Sequence, residues 1–294
     1  VETETITRDV RFIAEDFTPS ARPPSHFKIL ALANQKGGVG KTTTTINLAT
    51  ALAAIKKRVL VVDMDPQGNA STGLGIGHRI RKQGTYSLLV EDSWDRHIAV
   101  ASSVPNIDVL PASPALSGAD IELQDMADRE YRLIQGLQQF IPHYDYIMID
   151  CPPALSLLTI NAFVAAGRIL VPLQAEFYAL EGLSYLVRTV ERVRQTFNPN
   201  LNLFGIVLTM YDRRNNLSRQ VEDEVKTYFK DIVFDTMIPR NVKISEAPSH
   251  GKPVILYDTR CVGSKAYIMM AKEFLRREKN LLKRLVETQS RPRP

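Results

Sequence analysis

From Phe27 onward, short apolar runs alternate with longer stretches whose apolar residues recur every three to four positions. The short runs Lys28–Ala33, Arg58–Asp63, Ile107–Pro111, Tyr144–Asp150, Arg168–Leu173, Leu203–Met210 and Ile232–Pro239 predict strands. The longer stretches predict helices over Lys41–Lys56, Ser117–Phe140, Leu155–Ala165, Ala179–Phe197, Leu217–Lys230 and Ser264–Val286. In Ala179–Phe197 the apolar set Leu180, Leu183, Leu186, Val187, Val190, Val193 and Phe197 keeps one helical face. Regular alternation with short connections predicts an α/β fold, a doubly wound, mostly parallel sheet flanked by helices. No internal repeat and no linker divides it. The expected organisation is a polar, Pro-ended arm over 1–26 with at most a short helix at Val10–Asp16. A single domain over 27–277 follows, then a basic helix end and disordered tail over 278–294.

The chemistry concentrates at Asn34–Thr43, Asn-Gln-Lys-Gly-Gly-Val-Gly-Lys-Thr-Thr, between the first predicted strand and the first predicted helix. A strand, a glycine-rich loop and a helix in that order make a phosphate cradle. Gly37, Gly38 and Gly40, on either side of Val39, let the backbone bend and bring its N–H groups to an anion. The helix start adds its positive dipole end. Lys41 would meet the β- and γ-phosphates, Thr42 would ligate Mg²⁺ and Thr43 would donate to the α-phosphate. Gln35 stands where the usual phosphate loop has its first glycine, and a second lysine, Lys36, precedes the glycine pair.

Two predicted strands end in acids, at the edge where open α/β sheets place ligands. One runs into Asp63-Met64-Asp65-Pro66-Gln67-Gly68-Asn69, the other into Asp150-Cys151-Pro152-Pro153. Carboxylates beside a magnesium ion and a terminal phosphate can hold metal waters and orient the attacking one. Cys151 has no histidine near it in sequence and reads as packing.

Composition narrows the classes. The 294 residues are 44% hydrophobic and 23% charged, ordinary for a globular protein. No apolar run approaches ~18 residues, so no membrane span is expected. The start carries no apolar segment behind basic residues, so no secretory signal is expected. Two distant cysteines and five scattered histidines give no metal-ligand spacing. The net charge of +5 equals that of Arg276–Pro294 alone, which holds seven Lys/Arg and two Glu. A basic amphipathic tail suits nucleic acid, an anionic membrane, or packing on the domain, and charge does not choose among them.

The loop Lys36-Gly37-Gly38-Val39-Gly40-Lys41-Thr42 resembles the deviant Walker A motif of the ParA/MinD ATPases, a P-loop NTPase group. Asp63–Asn69 is similar to the ParA switch I, and Asp150–Pro153 to its switch II. The resemblance covers roughly Lys28 to Arg277. It implies an ATP-dependent partitioning ATPase that binds ATP and Mg²⁺ at Lys36–Thr43 and dimerises around two nucleotides. Lys36 would reach the partner's nucleotide, and Gly37 would leave room for close approach. Lys36, Lys41 and Asp65 would carry hydrolysis, and Thr42, Asp63, Asp65 and Asp150 the magnesium shell. By the same resemblance Thr209, Met210, Pro239, Arg240 and Asn241 would line the adenine. Arg214, Arg240 and Lys243 would grip nonspecific double-stranded DNA, and a ParB-like centromere-binding protein would stimulate turnover. A cytoplasmic, nucleoid-associated homodimer is implied. The alternatives are a membrane-associated positioning ATPase like MinD, and a metabolic or redox relative.

Overall fold

The protein is described here by a computed structural model covering residues 25–91 and 95–289. The short helix expected at Val10–Asp16 and the tail at Arg291–Pro294 lie outside the described residues. The strands are β1 Ile29–Leu32, β2 Val59–Asp63, β3 Val100–Ala101, β4 Ile107–Leu110, β5 Tyr146–Asp150, β6 Arg168–Gln174 and β7 Asn202–Thr209. The helices are α1 Lys41–Ala54, α2 Asn69–Gly73, α3 Thr85–Leu89, α4 Ala119–Glu122, α5 Arg132–Leu137, α6 Leu157–Ala165, α7 Ala179–Thr196, α8 Asn216–Phe229, α9 Val242–Glu246, α10 Val254–Tyr257 and α11 Val262–Gln289.

One seven-stranded sheet runs β3-β4-β2-β5-β1-β6-β7. All pairs are parallel except β3 with β4, which is a two-residue antiparallel edge that the sequence pattern does not reveal. Strand order reverses at β1, which lies between β5 and β6. The crevice outside the carboxyl ends at such a switch point is where these folds bind ligands.

Apart from the short edge β3, the strands bury both faces, which explains their near-continuous apolar sequences. Ile29, Ala31, Leu60, Val62, Ile147 and Ile149 face the layer of α3, α5, α6, α7 and α8. Leu30, Leu32, Val59, Val61, Tyr146 and Met148 face α1, α2, α10 and α11. At β7 the alternation slips at Gly205, which sits against the Phe234 ring, where a Cβ would clash at 2.3 Å.

Two expected elements change form. The helix expected over Ser117–Phe140 is broken into α4, short 3₁₀ turns and α5. Asp128 takes a left-handed backbone (φ 51°). The Asn161 side chain accepts from the Leu133 N–H (3.1 Å) and donates to the Arg129 carbonyl (2.7 Å), satisfying from α6 the groups that a continuous helix would have paired. The strand expected over Ile232–Pro239 makes only isolated bridges, Val233 to Ile206 and Pro239 to Tyr211. Between them, the N–H groups of Asp235 and Thr236 both donate to the buried Glu273 carboxylate at 2.9 Å.

The last helix, α11, runs 28 residues. Phe274 and Met270 are fully buried against the sheet, and Leu281 packs on the same cluster. Near its start the Tyr267 hydroxyl meets Thr44 of α1 (3.3 Å). Further along, Glu278 accepts from Arg168 (2.7 Å) and from the Tyr146 hydroxyl (2.5 Å). The helix therefore packs on the domain through this stretch. Among the described residues no helix is long and apolar enough to cross a membrane.

Candidate nucleotide site

The phosphate loop follows β1 and turns into α1 through Gly38 (φ +75°) and Gly40 (φ +89°), backbone shapes that side chains resist. Asn34 anchors its entry, donating to the Pro172 carbonyl (2.8 Å) and accepting from the Lys36 N–H (3.0 Å). Thr209, at the end of β7, donates to the Val39 carbonyl (2.8 Å) and fixes the far side. Asn47 holds the Thr43 carbonyl (2.8 Å). A loop tied at these points presents its N–H groups without further ordering.

Lys41 is buried, and its ammonium donates to the Lys36 carbonyl (3.0 Å). Burial lowers its pKa, and the nearby carboxylates, Asp150 before Asp65, work against that fall. Lys36 is half-exposed and pairs with Glu176, just beyond the end of β6. A Cβ added at Gly37 would meet nothing within 4 Å.

Asp63 and Asp150 stand side by side in the β2–β5 register, and both are fully buried. Asp150 accepts from the Thr42 hydroxyl (2.7 Å) and the Thr45 hydroxyl (3.1 Å). Asp63 accepts from the Ser71 N–H (2.8 Å), the Ser71 hydroxyl (2.6 Å) and the Asp65 N–H (3.3 Å). Burial pushes the Asp63 carboxyl up to about 6, against the hydrogen bonds from Ser71. Burial, then the charge of Asp63, pushes Asp150 up to about 8, against the two threonine hydroxyls and Lys41. Two adjacent interior carboxylates, one touching the hydroxyl at the mouth of α1, favour a cation. Among the described residues no cluster of three His, Cys, Asp or Glu could cage a metal alone. Thr42 and Asp150 therefore fit a magnesium ion whose remaining ligands are water and phosphate oxygens. Asp65 is partly exposed in the turn beyond Asp63, and its carboxylate accepts from the Gln67 N–H (3.0 Å). Cys151 is buried, and its pKa is raised chiefly by burial, as packing requires.

The expected base-lining segments come together: Tyr211 bridges Pro239, and the Arg240 N–H donates to the Tyr211 carbonyl (3.3 Å). Met210 has a left-handed backbone (φ 50°) at this junction. Two side chains there are already engaged. Thr209 is turned to the phosphate loop, and the Asn241 oxygen caps α9 through the Lys243 N–H (3.1 Å).

Arg214 and Arg240 are exposed, and Lys243 partly exposed, in the segments that follow this edge of the sheet. Arg214 grips Asp212 at both oxygens (3.1 and 2.9 Å), which holds that carboxyl down at about 2. Lys243 pairs with Glu246 at 2.9 Å.

Sequence reasoning gave no role to Asn34, Thr45, Ser71 or Glu176. Thr45 carried a usable signal, because it lies one turn after Thr42 and shares its helix face. The others act through loops whose closure no periodicity reports.

A switch-point crevice with a glycine loop, a buried lysine and a hydroxyl–carboxylate pair defines a phosphate-loop nucleotide-binding α/β protein. The AAA domain family matches residues 27–203. The chromosome partitioning protein ParA of Caulobacter vibrioides is 54% identical over 263 residues, 89% of this chain and 97% of that protein. The sporulation initiation inhibitor protein Soj of Bacillus subtilis is 54% identical over 84% of this chain and 97% of its own. The crystal structure of cobyrinic acid a,c-diamide synthase from Mycobacterium smegmatis with bound ADP and magnesium superposes with a TM-score of 0.74 at 35% identity, covering 86% of this chain and 95% of that one. The chain belongs to the ParA/Soj family of chromosome-partitioning proteins.

Proposed function

We propose that residues 27–277 form an ATP-dependent partitioning ATPase whose nucleotide-bound dimer holds nonspecific DNA. The observation that carries this reading is the Thr42–Asp150 hydrogen bond at the mouth of α1 beside the buried Lys41, in a chain 54% identical to ParA and Soj over its matched length. The Gly37–Thr43 backbone and Lys41 would bind the phosphates of ATP, while Thr42 and Asp150, with Asp63 and Asp65 alongside, would hold magnesium. Magnesium, when bound, neutralises phosphate charge and offsets the mutual repulsion of Asp63 and Asp150. Thr209, Met210, Pro239, Arg240 and Asn241 would enclose the adenine, largely through backbone groups.

Dimerisation completes the site. Lys36 would leave Glu176 and reach the partner's nucleotide, and the open space at Gly37 admits the second subunit. Phe177 and Tyr178, which directly follow Glu176, are 75% and 67% exposed, leaving apolar surface beside the loop. Two copies of Arg214, Arg240 and Lys243 then bind phosphates together, which raises affinity steeply without reading sequence. Asp65 would orient water for slow hydrolysis, a ParB-like partner would speed it, and release would return monomers from the nucleoid to the cytoplasm. α11 packs against the sheet through Phe274, which favours this reading over a membrane-bound one in which the helix lies on lipid.

The test is co-sedimentation with random-sequence duplex DNA under ATP, ADP or no nucleotide, with liposomes in parallel. ATP-dependent DNA retention is expected. Retention on liposomes alone, or DNA binding indifferent to nucleotide, would reject the reading.

A further inference from the structure

Arg81 is a buried cation that neither the nucleotide chemistry nor the DNA surface uses. It is 5% exposed. Its Nε and Nη2 donate to the Ile76 carbonyl (3.2 and 2.6 Å), Nη2 also to the Thr72 hydroxyl (2.8 Å), and Nη1 to the Gly68 carbonyl (3.1 Å). All three acceptors are neutral, and the Asp63 charge acts on the guanidinium without a direct hydrogen bond to it. Burying a guanidinium on neutral acceptors is costly, so its place asks for a reason beyond stability.

The place is the underside of the Asp65–Gly68 turn. Gly68 has a left-handed backbone (φ +64°), and a Cβ there would stand 2.3 Å from Arg81 Nη1. The Gly68 carbonyl that Arg81 holds also accepts from the Thr72 N–H and hydroxyl, both at 3.0 Å. The Gly68 N–H donates back to the Asp65 carbonyl (2.8 Å), and the Gln67 N–H donates to the Asp65 carboxylate (3.0 Å). A fixed guanidinium plane thus orients one peptide, that peptide closes the turn, and the turn holds the Asp65 carboxylate. Gly68 caps the start of α2, Thr72 lies in its last turn and Ile76 just beyond it, so the same side chain ties both ends of α2 to the turn.

We propose that Arg81 is a positioning residue for ATP hydrolysis, holding the Asp65–Gly68 turn in the attitude from which Asp65 orients the attacking water. This rests on the hydrolytic role given to Asp65. Arg81 touches neither substrate nor reacting atoms and acts only through the peptide of Gly68. Its planar fork reaches three acceptors together, which a lysine ammonium on a flexible stem does not reproduce.

The experiment compares Arg81→Met, Arg81→Lys and Asp65→Ala in the full chain, by single-turnover phosphate release, ATP titration and thermal melting. Misplacement of a catalytic group by about an ångström costs up to about a hundredfold. Arg81→Met is expected to lower kcat by about ten- to a hundredfold while the ATP affinity stays within about twofold, with Arg81→Lys recovering part of the loss. Hydrogen exchange at residues 65–72 should quicken in the methionine variant. Wild-type kcat in a folded Arg81→Met, with Asp65→Ala inactive, overturns the proposal and leaves the Asp65 reading intact. Wild-type turnover in Asp65→Ala overturns both. A loss of turnover matched by an equal loss of ATP binding or of folded protein assigns Arg81 a structural role only, and also overturns it.

Discussion

The phosphate loop and the basic surface beyond β7 both carry cations, and they hold them differently. Lys41 is buried, tied to a loop carbonyl and set among aspartates. Arg214 and Lys243 stand in solvent, each resting on a carboxylate two or three residues away in sequence. The first arrangement is built before any ligand arrives. The second is a set of shallow, solvent-screened ion pairs that hold their partners only loosely. Burial fixes geometry in one place, and exposure leaves charges that can exchange partners in the other.

The contrast breaks most visibly at Lys41. Lys41→Ala is expected to lower ATP turnover by at least about a hundredfold, read by phosphate release, since it removes a preorganised charge from a water-poor site. Wild-type turnover there would dissolve the distinction. Gly37→Ala comes next: an added Cβ meets nothing within 4 Å in one protomer, so ATP binding should persist while light scattering reports monomers. A dimer in that variant would show that the open space serves something else.

A third probe asks whether burial governs pH response as well. Glu273 is buried, which raises its pKa, but the N–H groups of Asp235 and Thr236 and the Arg277 guanidinium outweigh burial and hold it below the ordinary value. A depressed carboxyl stabilises the fold above its unfolded pKa, ~4.3, and loses that contribution as pH falls through the folded value. Glu273→Gln should therefore lower Tm at neutral pH by the equivalent of roughly 1.5–3 kcal/mol, with the gap to wild type closing in acid. A gap constant with pH would contradict the assignment.

The smallest effects belong to the surface. Arg240→Ala should weaken DNA binding several-fold at every sequence and reduce the salt slope by about one phosphate contact per subunit. Asp212→Asn, which frees Arg214, should tighten binding by no more than about fivefold. A large change from Asp212→Asn would mean the pair is a lock and not a rest.

The same contrast decides what could be read from the chain. The glycine loop, Lys41, Thr42, Asp63 and Asp150 were legible because strand, loop and helix follow one another locally, and strand ends place acids at the switch point. Six of the seven expected strands and the packing helices followed from apolar spacing alone. Failures came where distant side chains took over backbone groups. Asn161 divided the helix expected at Ser117–Phe140, and Glu273 captured the N–H groups of the strand expected at Ile232–Pro239. Arg81 stayed hidden because its acceptors are two main-chain carbonyls and one threonine hydroxyl, which no sequence pattern marks.

At one point α11 touches the first turn of the nucleotide helix through Tyr267 and Thr44, and at another it is bolted to the start of β6 through Glu278 and Arg168. A helix of its length is a rod of roughly 42 Å. Such a rod transmits tilt better than it absorbs it. Through these two contacts a single element ties the start of the nucleotide helix to the amino end of a central strand.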